Sequence, residues 1–321
     1  MVLDGFNGLK ALVLGDVMID TYSKGVVERM SPEAPVPIVN LKEHFDRLGG
    51  AANVAFNLKA LGALPFVCSV IGADISGNRL LQLMSEHGLN TSGLIQSPQR
   101  MTTVKHRVFD GDRQLLRIDE EDTFDLTKEE QSSLIQVVER QLDETDVVIL
   151  QDYNKGVLSE TIIKSVIAAA QARNIPIAVD PKKKNFLAYQ GVTLFKPNAK
   201  ELRDGLGVHA ETIDELRQAA TVLQERLQCD FLMTTLSEQG VMILHNGEFR
   251  HIAALPRHIV DVSGAGDTVL SVAALSVALK QDAATIASLS NIAGGLVCEE
   301  VGVVPIDKEK LSVEFKRIRH E

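Results

Sequence analysis

The sequence predicts an α/β fold with a mostly parallel central sheet, helices on both faces and a small inserted β-lid. Short apolar runs rich in β-branched residues alternate with longer helical patterns, which is typical of βαβ units. A proline-rich stretch and a hairpin signal interrupt that alternation and indicate the lid. The chain has 321 residues, 45% of them hydrophobic. Because one α/β domain can reach this size, we expect residues 1–321 to form a single domain.

The apolar runs indicate where the strands of the sheet lie. In chain order, strands are expected at residues 10–15, 66–72, 146–152, 175–180, 192–198 and 230–235. Helices are expected between them, at about 51–62, 76–87, 127–142, 159–173 and 212–227, and again after residue 268 and at 307–319. Ligands of such sheets bind at the carboxyl ends of the strands. Four polar side chains follow strand ends: Asp16, Asp152, Asp180 and Asn198.

The lid is predicted from two stretches, 22–46 and 102–119. Three prolines between positions 32 and 37 exclude a helix from the first stretch and favour extended or edge-strand backbone. In the second stretch, two short strands surround Asp110-Gly111, which is the strongest short hairpin signal. The edge strands of such a lid expose apolar side chains that need covering. We therefore expect a homodimer joined through the lids.

Composition excludes several classes of protein. The 33 Lys and Arg residues against 43 Asp and Glu residues give a net charge of -10. The chain therefore lacks the basic excess of a protein that binds nucleic acid or an anionic membrane, and we expect neither partner. Cys68, Cys229 and Cys298 lie far apart, which indicates buried thiols rather than a disulfide framework or a zinc site. The N-terminal segment has no cationic region followed by a long apolar run, so a cytoplasmic protein is expected.

The segment DVSGAGDT, at 261–268, is suited to binding a phosphoryl group. Small residues at a helix start, Gly264, Ala265 and Gly266, let backbone N–H groups converge where the helix dipole adds positive charge. Asp267 then falls in the first helical turn, where its carboxylate can accept the proton of a substrate hydroxyl. Alternatively, Gly-Ala-Gly is a tight turn and Asp267 a helix-capping acid.

A second motif, GGAANVAFNLKALG at 49–62, supports the functional interpretation. Gly49 and Gly50 permit close backbone approach to a ligand, and Asn53 offers a donor and an acceptor to hydroxyls. Alone, this motif could be a loop that enters a helix. With 261–268, in this order and at this separation, it resembles the two signatures of the ribokinase-like, or PfkB, family of carbohydrate kinases. The resemblance implies a ribokinase-like three-layer fold and direct transfer of a phosphoryl group from ATP to a sugar.

The same resemblance implies a nucleotide and metal site. Asn198 and Glu201 look like the family's N-x-x-E motif, which helps to organise Mg²⁺ and the phosphates. Asn198 could instead be the N-cap of an exposed helix, or serve both purposes. The segment TTLSEQGV, at 234–241, is similar to the family's nucleotide-binding turn. The residues that this similarity assigns to ATP are Thr235, Ser237, Gly240 and Asn291. A monovalent cation is possible in such a site.

Longer segments resemble one branch of the family, whose members phosphorylate a sugar that already carries a phosphate. They include SPEAPVP at 31–37 and DYNKG at 152–156, and the similarity spans nearly the whole chain. Such a substrate needs carboxylates for its hydroxyls, for which Asp16 and Asp20 are suitable, while Asp152 could orient sugar or metal. Its phosphate needs cations. The candidates are Lys105 and Arg107, which strand alternation puts on one face of the lid, and Lys155 and Lys182 after strand ends.

Alternatives remain for these residues and for the function. Asp16 could cap a strand-end turn, and any single lysine or arginine could be a solvated surface charge. The rival functions are kinases of fructose 1-phosphate, tagatose 6-phosphate or an unphosphorylated sugar, and a catalytically silent sugar or nucleotide sensor. A dinucleotide dehydrogenase is disfavoured because G-x-G-x-x-G does not follow the first strand.

Overall fold

A computed structural model describes residues 2–320 of the chain. The strands are β1 (Lys10–Gly15), β2 (Val17–Met30), β3 (Pro37–Gly50), β4 (Leu64–Gly72), β5 (Leu94–Ser97), β6 (Val104–Asp110), β7 (Arg113–Glu120), β8 (Val147–Gln151), β9 (Ile177–Asp180), β10 (Leu194–Phe195), β11 (Phe231–Thr235), β12 (Val241–His245) and β13 (Glu248–Ile252). The helices are α1 (Ala51–Ala60), α2 (Ile75–Glu86), α3 (Lys128–Leu142), α4 (Glu160–Gln171), α5 (Ala199–Leu206), α6 (Ile213–Leu227), α7 (Ala265–Ala278), α8 (Ala283–Val297) and α9 (Lys308–His320).

The main sheet has nine strands in the order β13-β12-β11-β10-β9-β8-β1-β4-β5. The pairs from β11 to β5 are parallel, while β12 and β13 are joined antiparallel at one edge. The prediction of a mostly parallel sheet is therefore confirmed. Strands β12 and β13 were not predicted, because the stretch 234–241 resembles a nucleotide-binding turn and its sequence does not indicate a returning antiparallel strand.

Helices cover both faces of this sheet and form two hydrophobic cores. Alternate residues of β1 point to opposite faces, so that Val13 belongs to one core and Leu12 and Leu14 to the other. Helices α1, α2, α7, α8 and α9 contribute to the first core, and α3, α4, α5 and α6 to the second. Helix α7 is buried around its whole circumference from Asp267 to Val277, as its uniformly apolar sequence requires.

The predicted lid corresponds to a second sheet of four strands, in the order β3-β2-β6-β7. Strand β2 starts two residues after β1, and β3 runs directly into α1, so both strands extend beyond the stretch 22–46 that the sequence suggested. Pro37 is the first residue of β3, a position that needs no ladder donor. The lid sheet is therefore joined to the main domain at two places, where β2 follows β1 and where β3 continues into α1.

Two observations concern the cysteines and the apolar helices of the described residues. Cys68, Cys229 and Cys298 are buried free thiols, and burial raises the pKa of Cys68 and Cys229 to about 12. Within residues 2–320, none of the helices is both long and apolar enough to cross a bilayer.

Candidate active site

The start of helix α7 lies at the carboxyl edge of the main sheet, and its backbone depends on glycine. Gly264 is the residue before the helix and has a left-handed φ of 79°. A Cβ on Gly264 would lie 2.8 Å from Asn53 Nδ2. This combination of a left-handed backbone and a crowded position restricts the residue to glycine. The predicted group Gly264, Ala265 and Gly266 thus opens the helix next to Asn53.

Asp267 is 3% exposed and accepts hydrogen bonds from three other elements. Asn53 Nδ2 donates to its Oδ2 at 2.8 Å, while Tyr153 Oη and Gln151 Nε2 donate to its Oδ1 at 2.8 and 3.2 Å. Burial raises the pKa of Asp267 to about 7, although the Asn53 and Tyr153 donors act to lower it. A carboxyl group that titrates near neutral pH is suited to general-base catalysis. These partners lie outside its own helix, unlike those of a capping acid.

Three residues of this site were not predicted, namely Gln151, Tyr153 and Lys196, whereas Asp180 is one of the expected strand-end residues. Lys196 Nζ lies 3.0 Å from Asp180 Oδ2, and both side chains are buried. A Cβ on Gly266 would lie 3.7 Å from that same Asp180 oxygen and 3.8 Å from Lys196 Nζ. This ion pair is therefore next to the start of α7. A lysine that directly follows an apolar strand was the sequence signal that could have identified it.

Asn198 and Glu201 form a reciprocal capping box at the start of α5. Glu201 N donates to Asn198 Oδ1 at 2.8 Å, and Asn198 N donates to Glu201 Oε2 at 2.9 Å. The capping interpretation of this motif is thus present in the structure. The other Glu201 oxygen, Oε1, forms an ion pair with Lys182 Nζ, which lies 4.0 Å from Asp180 Oδ1. That Asp180 oxygen is buried without a hydrogen-bond partner.

Lys182 thus contacts Glu201 of the N-x-x-E motif. It was expected to bind the sugar phosphate together with Lys105 and Arg107 of the lid. It precedes the short 3-10 helix 183–185, and its ammonium lies 5.4 Å from the Tyr153 ring centroid. The structure does not bring Lys182 into contact with Lys105 or Arg107.

The remaining predicted cations lie where the lid meets the main sheet. Arg107 Nη1 forms an ion pair with Asp20 Oδ1. Lys105 Nζ lies 3.3 Å from Glu121 Oε2, and Lys155 Nζ lies 2.7 Å from Oε1 of the same carboxylate. Three of the four predicted cations therefore face one region, and each of them is paired with a carboxylate. The carboxylate of Asp20 is engaged by Arg107.

Both carboxylate oxygens of Asp16 accept hydrogen bonds from backbone N–H groups of the chain. Asp16 is 1% exposed and accepts hydrogen bonds from the backbone N–H groups of Tyr153, Lys155 and Val157, at 2.8, 3.1 and 3.1 Å. Because three donors already occupy the carboxylate, these contacts fit the alternative in which Asp16 caps a turn at the strand end. They fit direct binding of the sugar less well. Asp16 positions the loop that carries Lys155.

Asp152 is likewise buried and engaged by protein groups. Tyr189 Oη and Asn154 N each donate to its carboxylate at 2.7 Å. Burial, followed by the nearby charge of Asp16, raises the pKa of Asp152 to about 6. Asp152 was expected as a residue that could orient sugar or metal, and in the structure its carboxylate anchors the 152–154 turn.

Gly49 and Gly50 allow the end of β3 to approach these aspartates. A Cβ on Gly49 would lie 2.4 Å from Asp20 Oδ2, and one on Gly50 would lie 2.3 Å from Asp16 O. Gly50 also has a left-handed φ of 57°. The two glycines are thus needed for the backbone to pass close to Asp16 and Asp20 before it enters α1.

The residues assigned to ATP lie around the ends of β11, β12 and α8. Thr235 ends β11, and its N–H donates to Pro197 O at 3.2 Å, which joins this turn to the N-x-x-E segment. Ser237 and Gly240 flank the next turn with left-handed φ values of 54° and 92°. Asn291 Nδ2 donates to Ala253 O at 2.8 Å and ties α8 to the chain after β13.

Comparisons with known proteins agree with this architecture. Residues 9–310 match the family described as pfkB family carbohydrate kinase. The Bifunctional protein HldE of Methylobacillus flagellatus is 42% identical over 313 residues, which are 97% of this chain and 64% of that protein. The Bifunctional protein HldE of Mesorhizobium japonicum is 39% identical over 307 residues, or 96% of this chain and 62% of that protein. The chain thus spans less than two thirds of the length of these relatives.

Solved structures share the fold at low sequence identity. Phosphofructokinase-2 from Escherichia coli in complex with potassium superimposes with a TM-score of 0.82 at 18% identity, covering 98% of this chain and 99% of that one. Arabidopsis thaliana ribokinase complexed with ribose and ATP gives a TM-score of 0.74 at 17% identity, covering 95% and 98%. The predicted ribokinase-like fold is confirmed. With the family match over most of its length, the chain belongs to the pfkB family of carbohydrate kinases, which transfer a phosphoryl group from ATP to a sugar hydroxyl.

Proposed function

We propose that the chain phosphorylates D-glycero-β-D-manno-heptose 7-phosphate at the anomeric O1, with ATP as donor. The product would be the heptose 1,7-bisphosphate used in ADP-heptose and lipopolysaccharide core synthesis. The observation that carries this proposal is the buried, hydrogen-bonded Asp267 at the start of α7, on the same sheet edge as a group of cationic side chains. The similarity to the HldE relatives supports the choice of a heptose phosphate.

In the proposed mechanism, Asp267 accepts the proton of the anomeric hydroxyl while the backbone N–H groups of Gly264, Ala265 and Gly266 stabilise the phosphoryl group in transfer. Asn53 and Tyr153 hold the carboxylate in place through their hydrogen bonds. The transfer is direct and in line, without a phosphorylated enzyme. Burial of the site excludes water, which would otherwise compete as acceptor.

ATP would lie along Thr235, Ser237, Gly240 and Asn291. Mg²⁺ would be held by Glu201, with Asn198 organising that carboxylate and the orphaned Asp180 Oδ1 offering a further oxygen. These residues fit Mg²⁺, which takes one or two carboxylates and completes its shell with water and phosphates. When bound, the ion would neutralise phosphate charge.

The proposal is tested with a panel of sugars and sugar phosphates, with ATP as donor and phosphorus NMR to locate the new phosphate. We expect heptose 7-phosphate to be the preferred acceptor and the new signal to come from an anomeric phosphate. If the protein prefers fructose 1-phosphate, tagatose 6-phosphate or an unphosphorylated sugar, the proposed substrate is wrong and the assignment as a kinase stands. No ADP release with any acceptor would favour a silent sensor.

Catalysis is expected to depend on pH through Asp267. Because its ionised form accepts the proton and burial raises its pKa to about 7, kcat/KM should rise with pH and level off above that value. Tyr153→Phe removes a hydrogen bond that favours the ionised form, so this variant's acid limb should move to higher pH. Rates measured between about pH 5 and pH 9 check both statements. If the acid limb lies near the usual carboxyl pKa, or if Tyr153→Phe does not move it, the assignment of Asp267 as the base is wrong.

Lys105 is expected to bind the 7-phosphate. Lys105→Ala should raise the KM for heptose 7-phosphate about 10- to 100-fold, the effect of losing a hydrogen bond to a charged group, and leave the KM for ATP unchanged. Arg113→Ala is the control, because Arg113 is an exposed cation of the same hairpin. Equal effects of the two substitutions would show that Lys105 does not bind the phosphate.

We also propose that two copies pair through their lids. Leu41, Leu116 and Ile118 expose apolar side chains on the lid sheet, and the last two alternate with Arg117, so they lie on the face opposite to Arg107. Light scattering of the protein in solution should give the mass of a dimer. The double variant Leu116→Glu, Ile118→Glu should give a monomer, whereas an unchanged mass would place the interface elsewhere.

A further inference from the structure

Glu121 joins the lid to the main sheet through one carboxylate. It directly follows β7, and its Oε1 and Oε2 lie 2.7 Å from Lys155 Nζ and 3.3 Å from Lys105 Nζ. Lys105 comes from lid strand β6, whereas Lys155 comes from the loop that Asp16 holds. A single negative group therefore bridges two cations that belong to different parts of the molecule.

The side chains around Glu121 carry an excess of positive charge, which suits a phosphate. Lys105, Lys155 and Arg117 face two carboxylates, Asp119 and Glu121, so three positive charges meet two negative ones. Arg117 Nε and Nη2 donate to Asp119 at 2.7 and 2.9 Å, which largely satisfies that carboxylate. If Glu121 moved away, the cluster would carry two surplus positive charges. A phosphate monoester is close to a dianion at neutral pH and would match them.

The position of Glu121 permits such an exchange. Its side chain is 23% exposed, while those of Lys105 and Lys155 are each 14% exposed. Because Glu121 lies just beyond the last residue of β7, its side chain can rotate towards solvent without breaking a strand ladder. The two lysines, in contrast, are held in place by β6 and by the Asp16 contacts.

We propose that the Glu121 carboxylate occupies the Lys105–Lys155 pair in the free protein, competes there with the phosphate of the substrate and is displaced by it. This inference rests on the proposed function, in which these lysines bind the 7-phosphate. A dianion with three acceptor oxygens binds two ammonium groups more strongly than one carboxylate does, so it can take their place. An unphosphorylated sugar has no group that displaces Glu121. The carboxylate thus competes with the phosphate and sets the affinity of the lysine pair for it.

Removing the competing charge tests this inference. Glu121→Gln keeps the size of the side chain and removes its charge, and it should lower the KM for heptose 7-phosphate about three- to ten-fold with the KM for ATP unchanged. The matched control is Glu120→Gln, because Glu120 is the preceding, exposed residue of the same strand. In a Lys105→Ala background, the Glu121→Gln effect should shrink, since one of the two cations is gone.

A second readout does not depend on the identity of the sugar. Inorganic phosphate should bind Glu121→Gln about three- to ten-fold more tightly than it binds the wild type, as measured by calorimetry, and a Lys105→Ala background should reduce the difference. A KM that rises or stays constant in Glu121→Gln, together with unchanged phosphate binding, would overturn the displacement role while leaving the kinase intact. If phosphate binding changes as expected but heptose 7-phosphate is not phosphorylated, the proposed substrate fails and the role of Glu121 stands.

Discussion

Replacing Asp267 by asparagine is expected to lower kcat about 10²- to 10⁴-fold, the usual contribution of a general base. Asparagine has the same shape as aspartate, but its amide cannot take the proton of the sugar hydroxyl. ATP affinity should be largely kept, because the residues assigned to the nucleotide lie on other elements. Steady-state kinetics with heptose 7-phosphate, together with ATP binding measured by calorimetry, give both quantities.

The control for this variant is Asp282→Asn. Asp282 is also an acidic residue at a helix start, where it caps α8 by accepting a hydrogen bond from Thr285 N at 3.0 Å. Asparagine caps helices as well as aspartate does, so the control should fold and turn over normally. Near-normal turnover of Asp267→Asn would contradict its role as the base. A comparable loss in both variants would indicate a structural effect instead.

Asp16→Ala is expected to lower the free energy of unfolding by about 3 kcal/mol or more. The substitution leaves the N–H groups of Tyr153, Lys155 and Val157 without their acceptor, and each such group costs about 1–3 kcal/mol when it is buried. The loop that carries Lys155 should also lose its fixed position, so the KM for the sugar phosphate should rise in the fraction that folds. Urea unfolding monitored by circular dichroism measures the stability.

An exposed aspartate provides the comparison for this effect. The Asp143 side chain is 76% exposed and paired with Arg173, so Asp143→Ala should cost less than about 1 kcal/mol, as surface ion pairs do. Asp16→Asn should fall between the two, because one acceptor oxygen is kept. If Asp16→Ala destabilises the protein no more than Asp143→Ala does, the loop does not depend on that carboxylate.

The alternation of strand and helix patterns correctly predicted the main sheet. Strand β1 occupies the predicted residues 10–15, and helices such as α3 and α6 begin within a residue of their expected starts. These patterns are local, since side chains alternate every two residues in a strand and every 3.6 in a helix. Strand β10 is limited to Leu194–Phe195, whereas the expected strand ran from 192 to 198. In the lid, β2 also pairs in parallel with β6, which lies far along the chain (Ile19 opposite Val104), and no local pattern indicates that pairing.

The sequence by itself determined the family and the position of the Gly264–Asp267 segment, because the two motifs need only short runs of small and acidic residues. The tertiary structure alone decided what each charge contacts. Asp16 meets a loop about 140 positions away, Lys182 lies beside Glu201 instead of the lid, and Glu121 bridges Lys105 to Lys155. A side chain's partner depends on which distant segments the sheet order brings together, and that information is absent from any local pattern.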